Sequence, residues 1–267
     1  MRNAPRNIRM KLAEGAPAFG ACIQLPSPDS VEIAGYAGLD FAWIDAEHGS
    51  MGIGEVNQLV RAADAAGIDA IVRVPDHSAS FIQKVLDMGA AGIIAPHVRD
   101  VEVARRVVAA ANFAPDGVRG ACPAVRAVGH LTTDWPTELR RARENILVFG
   151  LIEDVEGVEN VEEIAAVSGL DGLLFGPFDL AMELGFEGDV TNATVREMNV
   201  RVRKAALSAG IQFLAIPGWD ETVGTLAAEG VRLFNVTGDR GMLVTAFRSA
   251  AAEAQREFDA ASEENPA

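Results

Sequence analysis

The chain has 267 residues, of which 49% are hydrophobic and 23% charged, as in an ordinary globular protein the size of one (β/α)8 barrel. Its formal net charge of −15 argues against nucleic acid as a partner, because the phosphate backbone would be repelled. No apolar run reaches the roughly 18 residues of a membrane span, and no signal-peptide core follows the basic N-terminus. Two cysteines, Cys22 and Cys122, give no disulfide framework, so we expect a cytoplasmic protein without membrane association.

Short apolar segments alternate with helical patterns along the chain. Strands are predicted at residues 18–24, 40–45, 69–74, 92–95, 146–152, 172–175, 212–216 and 233–237. Helices are predicted at 30–38, 54–67, 78–89, 101–112, 136–144, 195–210, 221–230 and 240–262, and a helix-like segment separates the fifth and sixth strands.

The predicted strands are too apolar to face water, which indicates a parallel sheet covered by helices. Eight strands favour a closed (β/α)8 (TIM) barrel over an open doubly wound sheet, with residues 1–267 as one domain and 1–14 as an N-terminal arm. No G-x-G-x-x-G follows the first strand, so no nucleotide cofactor is expected. The irregular segment 113–135 is long enough to be functional or disordered.

Polar side chains cluster where the predicted strands end, the face on which barrels carry their chemistry. The candidates are Asp45, His48, Arg73, Glu153 and Asp179. Each has an ordinary structural alternative: Asp179 as a helix cap, Arg73 as an ion-pair partner of a nearby glutamate, and His48 as a loop hydrogen bonder. Their position on one face favours the functional interpretation.

Three further histidines receive no role from the sequence. His77 and His97 are expected to be structural, and His130 in the irregular segment stays undecided.

Glu153 and Asp179 follow neighbouring parallel strands, so their carboxylates are expected to converge and attract a hard divalent cation. Such an ion suits a 2-oxo acid, whose carboxylate and keto oxygens chelate it while an enolate forms. Arg73 is expected to donate to the oxygen where charge develops, and His48 to move a proton, with Asp45 orienting its imidazole.

The chain has only three lysines, Lys11, Lys84 and Lys204, and none follows a predicted strand. A Schiff-base mechanism needs a lysine in or near the barrel interior. We therefore expect no Schiff-base lysine and no pyridoxal phosphate.

The strand-end motifs resemble those of the HpcH/HpaI aldolase family, whose members are class II, metal-dependent pyruvate aldolases. The resemblance covers about residues 15–255. The matching motifs are W-I-D-A-E-H-G (43–49), R-V-P (73–75), L-D-M-G-A-A-G-I-I-A-P (86–96), G-V-R-G (117–120), I-E (152–153), G-P-F-D-L (176–180) and L-G (184–185).

The resemblance implies reversible retro-aldol cleavage of a 4-hydroxy-2-oxo acid to pyruvate, or a related 2-oxo acid, and an aldehyde. It implies Mg²⁺, Mn²⁺ or Co²⁺ on Glu153 and Asp179, with Arg73 on the keto and enolate oxygen. It implies a His48–Asp45 pair near the aldehyde. The implied substrate-binding residues are Arg73, Gly176, Pro177, Phe178 and Asp179, with backbone N–H groups around the last two holding the carboxylate.

The resemblance also implies an assembly. It predicts a homohexamer, a trimer of dimers with exchanged C-terminal helices, in which Asp87 approaches a neighbour's site.

The sequence departs from the family pattern at residues 121–123, where a glycine and a serine are usual, and at three single positions. Leu151 replaces a common Gln, Asp154 a common Thr or Ser, and Phe178 a small residue. These changes leave the metal chemistry intact but predict a different substrate pocket.

Two other functions stay open. A citrate-lyase or malyl-CoA-lyase type enzyme shares the fold and metal but needs a basic cleft for the phosphates of CoA. The candidates for that cleft are Arg119, Arg126, Arg140, Arg141 and Arg143. The second alternative is a metabolite-binding barrel that has lost turnover.

Overall fold

The computed structural model describes the backbone of residues 7–264 and the side chains of residues 8–261. Eight parallel strands close into a barrel in which each pairs with the next along the chain and the last pairs with the first. The strands are β1 (Ala18–Ile23), β2 (Phe41–Asp45), β3 (Asp69–Arg73), β4 (Gly92–Ala95), β5 (Leu147–Ile152), β6 (Gly172–Phe175), β7 (Gln212–Ala215) and β8 (Leu233–Gly238). The predicted barrel is confirmed.

Helices surround the barrel. They are α1 (Asn7–Ala13), α2 (Pro28–Tyr36), α3 (Ile53–Ala66), α4 (Ala79–Asp87), α5 (Val101–Ala111), α6 (Trp135–Asn145), α7 (Val155–Glu159), α8 (Val161–Ala165), α9 (Pro177–Glu183), α10 (Ala193–Ser208), α11 (Val223–Ala228) and α12 (Asp239–Glu264). The predicted segment between β5 and β6 is thus two short helices rather than one, because the chain leaves helical geometry at Asn160 (φ −95°, ψ 7°).

Helix α1 was not predicted within the N-terminal arm, because seven residues are too few to show helical periodicity. It packs against the amino-terminal end of the barrel, where Ile8 is fully buried and its N–H donates to Asp69. Ion pairs of Arg9 with Asp171 and of Lys11 with Asp40 hold it at that end. Residues 1–6 of the basic N-terminus lie outside the described residues.

Side chains on the strands alternate between two buried layers. Those pointing inward form a closed cluster within the barrel, including Phe41 and Trp43 on β2 and Leu147, Phe149 and Leu151 on β5. Those pointing outward pack beneath the helices. Because both faces are buried, the strands are continuously apolar, which is the pattern that the sequence displays.

The same alternation places polar side chains at the carboxyl-terminal mouth of the barrel. Asp45 follows the inward-facing Trp43 by two residues, Arg73 follows Ile71, and Glu153 follows Leu151. These three polar residues are buried because they lie directly above the apolar interior, at the carboxyl-terminal end of the barrel.

The segment 113–135 is irregular, as predicted, but is attached to the barrel's outer helices. It contains a bridge between Phe113 and Arg119 and a 3₁₀ turn at Arg126–Val128. The Phe113 ring packs edge-on against Trp135 at 5.2 Å, and the Arg119 guanidinium lies 4.4 Å above the same ring.

Helix α12 extends away from the barrel after its first turn. All its side chains from Gly241 to Ala261 are exposed, including the large apolar Met242, Phe247 and Phe258. Exchange of this helix between subunits stays a prediction. Within the described residues, no helix combines the length and the apolar character needed to cross a membrane.

Candidate active site

Arg73 and Asp45 form a two-pronged ion pair at the centre of the mouth. Arg73 Nε and Nη2 donate to Asp45 Oδ1 and Oδ2 at 2.9 and 2.6 Å, and Gln24 donates to Oδ2 at 2.8 Å. Burial alone would raise the pKa of Asp45, but the hydrogen bonds and charge of Arg73 outweigh it and lower that pKa. Asp45 is therefore ionised and holds one edge of the guanidinium still.

Glu47 lies on the other side of Arg73. Its Oε2 forms an ion pair with Arg73 Nη1 at 3.1 Å, but this buried oxygen has no hydrogen-bond partner among the described residues. Burial raises the pKa of Glu47, against the lowering effect of Arg73. Arg73 thus forms an ion pair with a glutamate, which was the structural role considered for it from the sequence. Its Nη1 nevertheless makes no hydrogen bond to Glu47.

Glu153 follows β5 and is 2% exposed. Its Oε1 accepts the His97 N–H at 2.8 Å. Burial, with added repulsion from Glu47 and Asp179, raises the pKa of Glu153 to about 7 against the lowering effect of His97. A Cβ at residue 176 would lie 2.7 Å from Glu153 Oε2, so Gly176 leaves the space that this carboxylate fills.

Asp179 is half-buried in the first turn of α9, whose N-cap is Gly176. Asp179 is therefore not the N-cap of this helix, which was the structural role considered for it from the sequence. Its negative charge contributes to the raised pKa of Glu153, after the larger effect of burial. Pro177 occupies the first helical position, and the following Phe178 is 60% exposed at the rim of the mouth.

His48 presents an exposed imidazole to the cleft. Its Nε2 lies 3.9 Å from Glu47 Oε2. The contact between His48 and Asp45 in the described structure runs from the backbone N–H of His48 to Asp45 Oδ1, at 3.1 Å. Both Asp45 oxygens accept hydrogen bonds from Arg73 or Gln24. Orientation of the His48 imidazole by Asp45 stays a prediction.

His97 lies in the site although the sequence assigned it no role. Its Nδ1 is 3.6 Å from Glu153 Oε1 and 3.2 Å from Asp154 Oδ1. A continued strand β4 would turn residue 97 outward like Ile93 and Ala95. A left-handed backbone, φ +47°, redirects it, and that conformation cannot be inferred from a histidine in the sequence.

The sequence also did not indicate the role of Arg240, at the start of α12. It donates to the carbonyl oxygen of Gln24 at 3.2 Å, to Ser50 Oγ at 3.2 Å and more distantly to the carbonyl of His48. Arg240 therefore ties the β1 and β2 loops of the mouth to the terminal helix. The other two histidines lie outside these contacts: His77 bonds the Pro96 carbonyl and His130 is exposed.

The mouth offers a donor set that fits a divalent cation. Ligand atoms of Glu47, His97 and Glu153 lie within 4.8 Å of one another, and Asp179 adds a further negative charge. Glu47 Oε2 is ion-paired with Arg73 but accepts no hydrogen bond, and the pKa of the neighbouring Glu153 is raised, as expected for carboxylates with spare capacity to bind a cation. Oxygen ligands with one imidazole suit Mn²⁺, Co²⁺ or Mg²⁺.

Asp87, expected near a neighbour's site, bonds the buried Arg119 of its own chain at 2.7 Å. Its approach to another subunit stays a prediction. The three lysines lie on helices α1, α4 and α10, away from the strand ends.

The arginines proposed for a CoA cleft are engaged elsewhere. Arg119, Arg126 and Arg141 line a cavity of about 560 Å³ that also includes Ile68 and Ile146. Those two residues precede β3 and β5, so the cavity lies towards the amino-terminal ends of the strands. Arg140 and Arg143 bond Thr137 and Asp116. None of these contacts is at the mouth.

A (β/α)8 barrel with carboxylates, a fixed arginine and histidines at its carboxyl-terminal mouth has the arrangement of an enzyme active site. The model of the HpcH/HpaI aldolase/citrate lyase family matches residues 19–245, and the chain belongs to that family. This confirms the resemblance found in the sequence.

Individual relatives agree with the family. The hydroxypyruvate/pyruvate aldolase of Paraburkholderia phytofirmans is 36% identical over 211 residues, covering 76% of this chain and 80% of that protein. The 5-keto-4-deoxy-D-glucarate aldolase of Klebsiella pneumoniae is 32% identical over 192 residues, covering 72% and 74%. The crystal structure of citrate synthase SbnG superposes with a TM-score of 0.86 at 32% identity, covering 95% of this chain and 99% of that one. The chain is an enzyme of the aldolase type, a carbon–carbon lyase, as predicted.

Proposed function

We propose that this enzyme is a divalent-cation-dependent aldolase that joins pyruvate or hydroxypyruvate to an aldehyde and cleaves the resulting 4-hydroxy-2-oxo acid. The observation that carries the proposal is the group of Glu47, His97 and Glu153, whose ligand atoms lie within 4.8 Å of one another beside the ion pair of Glu47 with the buried Arg73. The names of the aldolase relatives support the substrate class.

The cation is proposed to be Mn²⁺, Co²⁺ or Mg²⁺, held by Glu153 and Asp179. When bound, it would supply Lewis acidity next to the keto group of the substrate. Arg73 complements it. Asp45 fixes two of its nitrogens, while Nη1 is ion-paired with Glu47 without a hydrogen bond and can donate to the keto oxygen. A donor fixed in this way stabilises negative charge without reorganising during the reaction.

His48 is proposed to move the proton. In the cleavage direction, it takes the proton from the C4 hydroxyl while the C3–C4 bond breaks and its electron pair passes to the keto oxygen. The aldehyde leaves, and protonation of C3 gives the 2-oxo acid. The exposed imidazole of His48 can reach such a hydroxyl within the cleft.

The substrate carboxylate is proposed to bind at the first turn of α9. The N–H groups of Phe178 and Asp179 lie in this turn, where backbone N–H groups have no partner within the helix. Gly176 and Pro177 shape the approach. The exposed ring of Phe178 would then contact the aldehyde part of the substrate and limit its size.

Assembly and location complete the proposal. We propose a homohexamer in the cytoplasm, in which the exposed apolar side chains of α12 are covered by neighbouring copies. Light scattering coupled to size-exclusion chromatography tests the hexamer. A monodisperse monomer would contradict it.

The decisive test of the reaction is a panel of aldehydes incubated with pyruvate or hydroxypyruvate and Mn²⁺, with product formation followed by NMR. We expect product with at least one aldehyde, none after chelation, and none with Arg73→Ala or Glu153→Gln. Failure of every aldehyde, with cleavage of malyl-CoA instead, would favour the CoA-thioester alternative. The paired arginines near the other end of the barrel count against that alternative.

A further inference from the structure

His97 is the nitrogen donor nearest to Glu153. Its Nδ1 lies 3.6 Å from Glu153 Oε1, and a ring nitrogen, Glu47 and Glu153 all place ligand atoms within 4.8 Å of one another. Neighbouring ligands about 2.1 Å from one octahedral cation are roughly 3 Å apart. The imidazole therefore already lies close to the position of a ligand.

The backbone is shaped to hold it there. A φ of +47° is uncommon for a residue with a side chain. The conformation lets one residue contact Glu153 twice, through its N–H at 2.8 Å and through its ring. The side chain is 41% exposed, so the ring reaches both the carboxylate and the cleft.

A carboxylate supports the ring from outside. Asp154 Oδ1 and Oδ2 lie 3.2 and 3.4 Å from His97 Nδ1, and Asp154 is itself mostly buried. The nitrogen that contacts Asp154 is the same one that faces Glu153, so Nδ1 lies between two carboxylates. Asp154 also departs from the Thr or Ser of the family pattern, so histidine and acid form a local feature of this chain.

We propose that His97 is an additional, nitrogen ligand of the active-site cation and binds it through the Nδ1 that faces Glu153. The proposal rests on the proposed function insofar as a cation occupies the Glu153 site. An imidazole ligand favours Mn²⁺ and Co²⁺ over Mg²⁺, which prefers an all-oxygen shell. The enzyme should accordingly discriminate against Mg²⁺.

The ligand can be observed directly by pulsed EPR on the Mn²⁺-loaded protein, because an imidazole nitrogen bound to Mn²⁺ modulates the electron spin echo. The test compares wild type with His97→Asn, chosen because Asn tolerates a left-handed backbone. His48→Asn makes the same change at the other cleft histidine and serves as the matched control. Circular dichroism confirms that each variant is folded.

We expect nitrogen modulation in wild type and His48→Asn, and its loss in His97→Asn. The Co²⁺-to-Mg²⁺ affinity ratio should fall by about tenfold in His97→Asn, as for removal of one favourable ligand. Mn²⁺ bound without nitrogen modulation, or with modulation that persists in His97→Asn, would overturn the ligand and leave the proposed function standing. Failure of wild type to bind Mn²⁺ at all would overturn both.

Discussion

Arg73 and Asp45 share two hydrogen bonds, at 2.9 and 2.6 Å, in the middle of the barrel mouth. Asp45 is fully buried, and the Arg73 side chain is 10% exposed. The guanidinium also lies 5.4 Å above the Trp43 ring, which continues the apolar interior beneath it. The guanidinium whose positive charge the proposed reaction needs is thus held by Trp43 beneath it and by Asp45 along one edge.

Asp45→Asn should therefore destabilise the protein. Removing one partner of a buried ion pair leaves the other charge uncompensated, at a cost of about 3–5 kcal/mol in the free energy of unfolding. Because the pKa of Asp45 is lowered in the folded protein, this stabilisation is full above its ordinary pKa and is lost as pH falls through the folded value. Urea unfolding at pH 7 and at acidic pH measures both effects.

The control for Asp45→Asn is Glu162→Gln, which breaks the exposed pair of Glu162 with Arg201. Exposed pairs contribute at most about 1 kcal/mol. Equal losses in the two variants would contradict the structural role of the buried pair.

Glu153→Gln should stabilise the metal-free protein while removing activity. Glu153 has a pKa of about 7 when folded and near 4.5 when exposed. The unfolded state therefore gains from ionisation as pH rises from 4.5 to 7, and this destabilisation persists above pH 7. Gln removes a penalty on the order of 3 kcal/mol.

Thermal unfolding in a chelator tests this prediction. The midpoint of Glu153→Gln should exceed that of wild type by several degrees at pH 8 and match it near pH 4.5. A wild type that is more stable than the variant at pH 8 without metal would show that Glu153 is compensated by groups within the chain.

Gly176→Ala should weaken cation binding without unfolding the barrel. The new Cβ would come within 2.7 Å of Glu153 Cβ and Oε2, so the carboxylate must move. We expect a loss of about 10- to 100-fold in Mn²⁺ affinity, the range seen when groups that orient a ligand are altered. Isothermal titration calorimetry measures it.

Gly54→Ala provides the matched control on α3, where an added Cβ has open space. It should leave Mn²⁺ affinity unchanged and raise stability by roughly 0.5–1 kcal/mol. Unchanged Mn²⁺ affinity in Gly176→Ala would place the cation away from Glu153.

The two cysteines should differ in reactivity. Burial, with the nearby Asp45 charge, raises the pKa of Cys22 to about 12, so its thiol stays protonated and unreactive through pH 10. Cys122 is exposed. Titration with a chromogenic disulfide at pH 8 should modify one thiol per native chain and two after denaturation, and Cys122→Ser should lose the fast reaction. Rapid modification of Cys22 in native Cys122→Ser would contradict the burial argument.

The sequence predicted the barrel because strands buried on both faces show uninterrupted apolar runs. The convergence of Glu153 and Asp179, expected because neighbouring parallel strands end at the same edge, stays a prediction that the effect of Asp179 on the pKa of Glu153 supports. The sequence missed the place of His97, which depends on a single backbone angle, and of Arg240, whose contacts lie about 190 residues away. Sequence periodicity indicates which side chains of a strand point inward. It carries no information about the backbone angle of one loop residue or about contacts between residues far apart in the chain.

The central claim is that pyruvate is enolised at this cation site, and exchange of its methyl protons in D2O tests it most directly. Proton NMR should show exchange with Mg²⁺, which keeps the spectrum sharp, and none after chelation or with Arg73→Ala or Glu153→Gln. Readdition of the cation should restore it in wild type alone. Exchange that survives exhaustive chelation, with pyruvate trapped on the protein by borohydride, would contradict the account.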